Sequence, residues 1–419
     1  MVKGLAGDKG LYMPESIPTI EEKVIAQMKD MSFQDIACVV ADALFAGDVE
    51  LDTLDAIVRD TLSFETPVVP VKGNIYSLEL FHGPTLAFKD VGARFMARML
   101  GYFIQREGIK EVKVLVATSG DTGSAVANGF LGVPGIHVYV LYPKGKVSPI
   151  QECQFTTLGQ NITALEIDGC FDDCQALVKS AFMDKDLNAH MKLTSANSIN
   201  VARFLPQSFY YFNAYAQLDR LGKADDLTVC VPSGNFGNIT AGLIAYKMGL
   251  PIKHFVAANN RNDVFLEYLN TGIYTPRPSV ATLANAMDVG DPSNFARILD
   301  LFGANGKAHE EISSLISGYR YTDEEIAAAI KRTYQETGYL LDPHGACGFL
   351  GLTDYQLPGG ETGVFLETAH PAKFKGTVDK ILNVDIEIPA KLRAFMEGTK
   401  QSIGLTRDFQ DFKAYLLSV

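Results

Sequence analysis

The sequence predicts an α/β protein with two open, twisted, mostly parallel sheets, flanking helices and a helical N-terminal region. Between about residues 80 and 370, short apolar runs rich in β-branched residues alternate with longer helical patterns. The strand-like runs are continuously apolar, which is typical of parallel strands buried on both faces. Strand–helix alternation favours open α/β sheets. A chain of 419 residues is long enough for more than one of them.

Most elements can be predicted one by one. Before residue 70, helices are expected over FQDIACVVADALF, with Ser32 as its cap, and over 51–63. Pro67 and Pro70 are expected to break the chain ahead of a strand NIYSLEL. Later strands are predicted at VKVLVAT (112–118), HVYVLY (137–142), NITALEI (161–167), LTVCVPS (227–233), KHFVAA (253–258) and GVFLET (363–368).

The composition of the chain limits the kinds of molecule that it is expected to bind. The net charge is -12, so nucleic acid or acidic lipid exerts no general attraction on the chain. An anionic substrate would therefore need a local cluster of donors. No apolar run approaches the roughly 20 residues that span a bilayer, and no signal peptide is readable. We expect a cytoplasmic protein with neither nucleic-acid nor membrane partners.

The six scattered cysteines indicate thiols rather than a disulfide or metal site.

Two glycine-rich turns follow strand-like runs, ATSGDTGSA (117–125) and VPSGNFGNITAG (231–242). Backbone N–H groups at a helix N-terminus, together with the helix dipole, bind phosphate or carboxylate. In an open parallel sheet such turns lie at the carboxyl ends of strands, where ligands bind. The alternative is a tight turn that needs glycine for its backbone angles. Two such turns in one chain favour anion sites, although neither matches a dinucleotide or triphosphate motif.

Lys89 in FHGPTLAFKD has apolar neighbours on both sides. Burial lowers the pKa of a lysine amine, and a neutral amine is what a Schiff-base nucleophile requires. The alternative is a lysine that pairs with Asp90 at the start of a helix and keeps its charge in solvent.

His82, His344 and His370 fall in or near motifs, where ordering a turn is favoured over proton transfer.

A polar cluster occurs in SANSINVARFLPQ (195–207), ahead of an aromatic helix. It holds five potential donors within nine residues, Ser195, Asn197, Ser198, Asn200 and Arg203. An arginine can bind phosphate bidentately. The alternative is an N-cap cluster beside a surface arginine, and this segment alone does not decide between the two.

Together and in this order, these segments resemble the threonine synthase family. FHGPTLAFKD is similar to that family's cofactor-lysine segment, and TSGDTG, SANSIN, PSGNFGN and TAHPAKF follow as in the family. The similarity runs from GLYMPE to about residue 380. The opening GLYMPESIP and the helical region resemble the longer microbial and fungal branch, which carries a further segment before this point, so we expect an atypical or trimmed N-terminus. The resemblance implies a pyridoxal-phosphate (PLP) enzyme of fold type II, similar to tryptophan synthase β.

The resemblance also implies site residues. Lys89 would be the catalytic residue and the Schiff-base lysine of the cofactor, and Thr368 would face its pyridine nitrogen. The cofactor phosphate would be held by Gly234, Asn235, Phe236, Gly237 and Asn238. The substrate carboxylate would be bound by Ser119, Gly120, Asp121, Thr122 and Gly123. The substrate phosphate would be bound by Ser198 and Arg203, in a loop ordered by Asn197 and Asn200. Many relatives of this fold type carry asparagine at the position of Asp121, so its carboxylate must be neutralised or turned away.

The implied reaction converts O-phospho-L-homoserine and water to L-threonine and phosphate, by γ-elimination and β-addition of water. One alternative is a β-eliminase of the serine or threonine dehydratase type, which needs no phosphate pocket. Another is a non-catalytic phospho-ligand binding protein, which does not need Lys89.

The predicted domains are a helical N-terminal region, a large PLP-binding domain, a smaller substrate domain and a helical C-terminal tail. Their boundaries are, in that order, 1–70, 71–105 with 215–390, 106–214, and 391–419. We expect a monomer or a homodimer without a metal site.

Overall fold

The structure is a computed structural model that describes residues 2–4, 6, 10–303 and 306–419. The chain divides into two compact units. Unit 1 consists of Met1–Tyr12, Pro84–Arg203 and Ile388–Val419. Unit 2 consists of Met13–Gly83 and Phe204–Glu387. The functional assignment of the predicted domains stays a prediction.

The described residues contain eleven strands, numbered in chain order. They are β1 Val68–Lys72, β2 Ile75–Glu79, β3 Val112–Ala117, β4 Ile136–Pro143, β5 Ile162–Asp168, β6 Leu193–Ser195, β7 Leu227–Pro232, β8 Ile252–Asn259, β9 Ile316–Arg320, β10 Thr362–Glu367 and β11 Ile403–Thr406. Each strand predicted from an apolar run is present, to within two residues at either end.

The α-helices of the described residues are likewise numbered in chain order. They are α1 Glu22–Gln27, α2 Phe33–Phe45, α3 Leu51–Thr61, α4 Lys89–Arg106, α5 Asp121–Phe130, α6 Pro149–Thr156, α7 Phe171–Met183, α8 Lys185–His190, α9 Val201–Phe204, α10 Ser208–Arg220, α11 Gly237–Lys247, α12 Val264–Thr271, α13 Phe295–Phe302, α14 Ala308–Leu315, α15 Asp323–Thr337, α16 Pro343–Tyr355, α17 Lys375–Leu382, α18 Ala390–Met396 and α19 Phe409–Ser418. None of them is long and apolar enough to cross a membrane.

Unit 1 is built on a five-stranded sheet of order β11-β5-β4-β3-β6, in which every pair of neighbours is parallel. Successive side chains of a strand point to opposite faces. Val114 and Val116 therefore pack with α4 and α5 in one core. Leu115 and Ala117 pack with α7 and α19 in a second core. Both faces of β3 are buried, which explains why its sequence is continuously apolar.

Unit 2 is built on a six-stranded sheet of order β1-β2-β10-β7-β8-β9. All its pairs are parallel except β1 with β2, which is antiparallel. Apolar residues of the central strands, such as Cys230, Val256 and Phe365, pack with α15 and α16 in one core. The N-terminal helices α2 and α3 belong to this unit, and Ser32 caps α2 by accepting a hydrogen bond from the Asp35 N–H group.

Two expectations are corrected by the structure. Pro70 was expected to break the chain, but it lies inside β1. Because β1 is an edge strand, it has a neighbouring strand on one side only. The missing N–H group of proline therefore deprives no neighbouring strand of a hydrogen-bond donor. The segment 391–419 was expected to be helical, but it contains β11, which pairs parallel with β5. Its sequence IGLT is short, carries a glycine and is mostly exposed, so it has no apolar run to predict a strand.

Candidate active site

Lys89 is the first residue of α4 and is half-buried. Its Nζ lies 5.7 Å from the centroid of the Phe88 ring. The turn before it is held by Asp90, whose carboxylate accepts hydrogen bonds from the N–H group and the hydroxyl of Thr85, at 2.9 and 2.5 Å. The Gln154 amide donates to the Thr85 carbonyl at 3.1 Å. These contacts fix the backbone from which the Lys89 side chain projects.

Arg203 packs against the same backbone within unit 1. Its side chain is buried, and its Nη1 donates a hydrogen bond to the carbonyl oxygen of Lys89 at 3.2 Å. Its Nε donates to the carbonyl oxygen of Ala196 at 2.7 Å. A Cβ atom on Gly92 would lie 2.3 Å from the carbonyl oxygen of Arg203, so only glycine permits this approach. The structure thus brings two predicted site residues, Lys89 and Arg203, together.

The polar segment around Ser198 is attached to the carboxyl end of β3. The side chain of Asn197 donates to the carbonyl oxygen of Ala117 at 3.0 Å and accepts from the N–H group of the same residue at 3.4 Å. Asn200 is fully buried, and its amide donates to the carbonyl oxygen of Ser195 at 3.2 Å. Ser198 lies between these two anchors and is half-buried.

The first glycine-rich turn leads from β3 into α5. The hydroxyl of Thr118 accepts hydrogen bonds from the N–H groups of Gly120 and Gly123, at 2.9 and 2.8 Å. These two N–H groups, which were predicted to bind a carboxylate, therefore already have an acceptor inside the turn. Asp121 is buried, and its Oδ1 accepts from the Gln151 amide at 2.9 Å. Sequence reasoning missed Thr118 and Gln151, although a hydroxyl at the end of a strand was a signal for the first.

The second glycine-rich turn leads from β7 into α11. Phe236, the N-cap residue, has the left-handed conformation (φ 61°, ψ 7°) and gives α11 no side-chain cap. A left-handed residue followed by a helical one directs successive N–H groups to one side, which is an anion-binding arrangement. Asn238 accepts a hydrogen bond from the Tyr211 hydroxyl at 2.7 Å, while its Nδ2 is buried without a partner in the described structure. The donors of this turn fit a phosphate group.

The cofactor-lysine segment and the second glycine-rich turn each contain a strained residue. Leu86, three positions before Lys89, has a φ of 55°, and Phe236 has a φ of 61°. Large side chains rarely adopt this region, because it costs roughly 1–2 kcal/mol per residue. Such conformations persist where the surroundings determine them fully, and they cluster at ligand sites. Two of the six described non-glycine residues with a positive φ thus lie in segments that are predicted to bind the cofactor.

Thr368 follows the end of β10 and is buried. The residue before it, Glu367, is fully buried, and burial raises the pKa of its carboxyl well above the usual range. Its Oε1 accepts a hydrogen bond from the Asp342 N–H group at 2.6 Å. Asp342 also contacts Nδ1 of His344 at 2.5 Å, and Nε2 of His344 accepts from the Ala286 N–H group at 3.2 Å. These contacts assign the His344 proton to Nδ1.

His370 has a structural hydrogen bond. Its Nδ1 accepts from the Ala372 N–H group at 3.1 Å, which caps the short helix that follows. Burial, together with the nearby His82, lowers the pKa of His370 from 6.5 to about 4. Nε2 of His82 contacts the Glu79 carboxylate at 2.7 Å. The hydrogen bonds of all three histidines support the interpretation that they order turns.

Comparison with known proteins identifies the family. A family model described as "Pyridoxal-phosphate dependent enzyme" matches residues 61–368, and models of the threonine synthase N terminus and C-terminal region match residues 1–62 and 346–416. The chain is 47% identical to threonine synthase of Haemophilus influenzae over 415 residues, which is 99% of this chain and 95% of that protein. The chain belongs to the threonine synthase family. The predicted family, fold type II and PLP dependence are thereby confirmed.

Solved structures agree with this family assignment. The crystal structure of Escherichia coli threonine synthase matches with a TM-score of 0.92 and 42% identity, over 100% of this chain and 95% of that chain. The PLP-bound threonine synthase of Brucella melitensis matches with a TM-score of 0.91 and 36% identity, over 99% and 94%. The threonine synthase fold of this chain thus extends over both units.

We predict that Gly92→Ala lowers both stability and threonine synthase activity. The new Cβ atom would overlap the Arg203 carbonyl oxygen, which forces the start of α4 away from the segment that ends at Arg203. Overpacking of this kind costs about 1–3 kcal/mol. Urea denaturation and the rate of phosphate release would measure the two effects.

Gly101→Ala is the matched control, because Gly101 lies in the same helix and its Cβ atom would only touch Val133, at 3.4 Å. Alanine is favoured over glycine in a helix by about 1 kcal/mol, so this variant should be as stable as the parent or more so. Equal stability of the two variants would contradict the close contact.

We predict that His370→Asn makes stability less dependent on pH in the acidic range. Because burial lowers the pKa of His370 to about 4, the unfolded chain binds a proton at a pH where the folded protein does not. The lowered pKa of His370 therefore makes a contribution to the free energy of unfolding that is present above pH 6.5 and is lost as the pH falls towards about 4. Asparagine keeps an acceptor for the Ala372 N–H group.

Urea midpoints at pH 7.5, 5.5 and 4.5 would measure this dependence. The exposed His190, changed to asparagine, is the control and should leave the slope unchanged. A His370→Asn protein with the parent's slope would show that this histidine does not contribute.

Proposed function

We propose that this protein is a threonine synthase that converts O-phospho-L-homoserine and water to L-threonine and phosphate. The proposal rests on family membership and on one contact in unit 1, the hydrogen bond from Arg203 to the carbonyl oxygen of Lys89. A lysine that reacts with an amino acid and a guanidinium that can bind a phosphate belong to one packed cluster. A cytoplasmic location and a monomeric or homodimeric state stay predictions.

We assign the cofactor-binding roles as follows. Lys89 would bond to the coenzyme, the turn from Gly234 to Asn238 would hold its phosphate, and the Thr368 hydroxyl would face its pyridine nitrogen. A hydroxyl cannot keep that nitrogen protonated as a carboxylate would. When bound, pyridoxal phosphate allows negative charge that develops on an amino-acid substrate to be delocalised.

The amine of Lys89 would then move protons at two substrate atoms. It would remove the proton at Cα and then a proton at Cβ, after which phosphate can leave from Cγ. Once Cγ has gained a proton, Cβ is electrophilic and water adds there. Lys89 can serve in these steps because its position at the start of α4 is fixed by Asp90 and Thr85.

The substrate's two anionic ends would have different partners. The carboxylate is assigned to the turn from Ser119 to Gly123 at the N-terminus of α5, where the helix dipole favours negative charge. The phosphate is assigned to Ser198 and Arg203. Asn197 and Asn200 would keep the segment around Ser198 in place through their hydrogen bonds to Ala117 and Ser195.

Changing Lys89 to alanine is expected to abolish threonine formation from O-phospho-L-homoserine, because the amine that moves the protons is lost. Borohydride reduction of the native protein should bleach its colour and place the pyridoxyl label on Lys89, as detected by mass spectrometry of peptides. Lys110→Ala, an exposed lysine of the same unit, is the control and should retain the native rate.

The products distinguish this function from its alternatives. Release of phosphate together with threonine supports the proposal. Formation of ammonia and a keto acid from serine or threonine, without turnover of O-phospho-L-homoserine, would indicate a dehydratase instead. A Lys89→Ala protein that turned over at the native rate would overturn the assignment of this residue.

We predict that Ser198→Ala raises the KM for O-phospho-L-homoserine by about tenfold or more, the loss expected for one hydrogen bond to a charged group. The inhibition constant of inorganic phosphate should rise with it, whereas the affinity for PLP should not change. Steady-state kinetics and a cofactor titration would measure these quantities. Ser180→Ala, in α7 of the same unit, is the control. An unchanged KM would exclude Ser198 from the phosphate site.

A further inference from the structure

The glycine-rich turn of unit 2 is supported from behind by the start of α13. The carbonyl oxygen of Asn235 accepts a hydrogen bond from Nδ2 of Asn294 at 2.8 Å. The side-chain oxygen of Asn235 accepts from the N–H group of Ser293 at 2.7 Å. Both oxygens of Asn235 are therefore directed to residues 293–294, away from any anion that the turn binds.

This arrangement sets the direction of a donor in the turn. The described peptide bonds are all trans, and in a trans peptide the C=O and N–H groups point in opposite directions. Because the Asn235 carbonyl points to Asn294, the N–H group of Phe236 points the other way. Phe236 is also the strained residue whose left-handed conformation directs the following N–H groups. Asn294 thus fixes the peptide on which this donor arrangement depends.

Arg297 in turn fixes Asn294. It is the largest fully buried side chain among the described residues, with 1% exposure. Its Nη1 donates a hydrogen bond to Oδ1 of Asn294 at 2.5 Å, and its guanidinium carbon lies 4.1 Å from the centroid of the Phe204 ring. Burial lowers the pKa of Arg297 to about 9, so the group is still protonated at neutral pH.

A buried charge at this position needs a physical reason. Taking a guanidinium out of water costs several kcal/mol, and an apolar side chain of similar size would pack at lower cost. What an apolar side chain cannot do is orient an amide. Arg297 can only donate, so it holds Oδ1 of Asn294 on its own side and leaves Nδ2 for the Asn235 carbonyl. The guanidinium also adds a fixed positive charge behind a turn that binds a phosphate.

We propose that Arg297 and Asn294 form a buried support that presets the glycine-rich turn for the phosphate group of pyridoxal phosphate. Arg297 is a positioning residue that acts through Asn294 and Asn235. The inference rests on the assignment of this turn to the cofactor phosphate in the proposed function. It assigns to α13 a role in cofactor affinity that the sequence motifs do not indicate.

The affinity of the cofactor-free protein for pyridoxal phosphate tests whether Arg297 and Asn294 support the turn. Apoenzymes of the parent and of Arg297→Met, Arg297→Lys and Asn294→Ala would be titrated with pyridoxal phosphate and with pyridoxal, which lacks the phosphate. The Kd for pyridoxal phosphate should rise about tenfold or more in Arg297→Met and Asn294→Ala, the loss expected for a hydrogen bond to a charged group. The Kd for pyridoxal should stay within about twofold. Arg297→Lys should restore most of the affinity.

The controls separate a specific role from a general one. Arg320→Met removes an exposed arginine of the same unit that pairs with Asp263, and it should leave both dissociation constants unchanged. An equal loss of affinity for pyridoxal phosphate and pyridoxal would make Arg297 merely structural and overturn the inference. Parent-like affinity of Arg297→Met would overturn it too. If Arg297→Met does not fold, Asn294→Ala decides, because it keeps the charge and removes the donor to Asn235.

The same titration distinguishes failure of the inference from failure of the proposed function. A parent apoenzyme that bound neither compound would contradict the cofactor assignment itself. A parent that bound pyridoxal phosphate tightly, with variants that bound it equally well, would contradict only the role of Arg297 and Asn294.

Discussion

Backbone N–H groups in the first turn of a helix need acceptors from outside the helix. At some helices a side chain supplies an acceptor, as Thr322 does for α15 and Asp342 for α16. At α11 no side chain caps the N-terminus, and the turn before it is bent into a conformation that exposes donors. An uncapped helix end directed at an anion is what a phosphate cofactor requires. The N-terminus of α11 therefore suits the cofactor phosphate that we assign to it.

In the first glycine-rich turn, part of the need for hydrogen-bond acceptors is met within the turn itself. It has the same strand–turn–helix context, yet Thr118 accepts two of its N–H groups within the turn. Asp121, which would repel an anion, is turned to Gln151. Fewer donors remain for a ligand here than the motif indicates. A carboxylate needs fewer partners than a phosphate, so the difference between the two turns agrees with the ligands assigned to them.

Several buried polar groups in unit 2 are linked to one another by hydrogen bonds. Glu367 is linked to Asp342, and Asp342 to His344, whose other nitrogen accepts from the backbone of Ala286. Because burial raises the pKa of Glu367, its carboxyl favours the protonated, uncharged form. The polar groups next to Thr368 thus hold one another in place, and Arg297 holds Asn294 in a similar way behind the second glycine-rich turn.

Local sequence predicted seven of the eleven described strands, the helices α2 and α3 and the candidate residues, because burial on both faces, helix caps and glycine-rich turns each leave a short-range pattern. It also determined the family, because the motifs around Lys89 and Phe236 are specific in combination. Only the tertiary structure decided that Pro70 lies in an edge strand and that IGLT adds β11 to the sheet, since a neighbouring strand supplies what their own sequences lack. Tertiary structure also decided that Arg203 reaches Lys89, that Asp121 contacts Gln151 and that Asn294 reaches Asn235. Those hydrogen bonds join residues far apart in the chain, and no local pattern specifies which distant backbone group a side chain will reach.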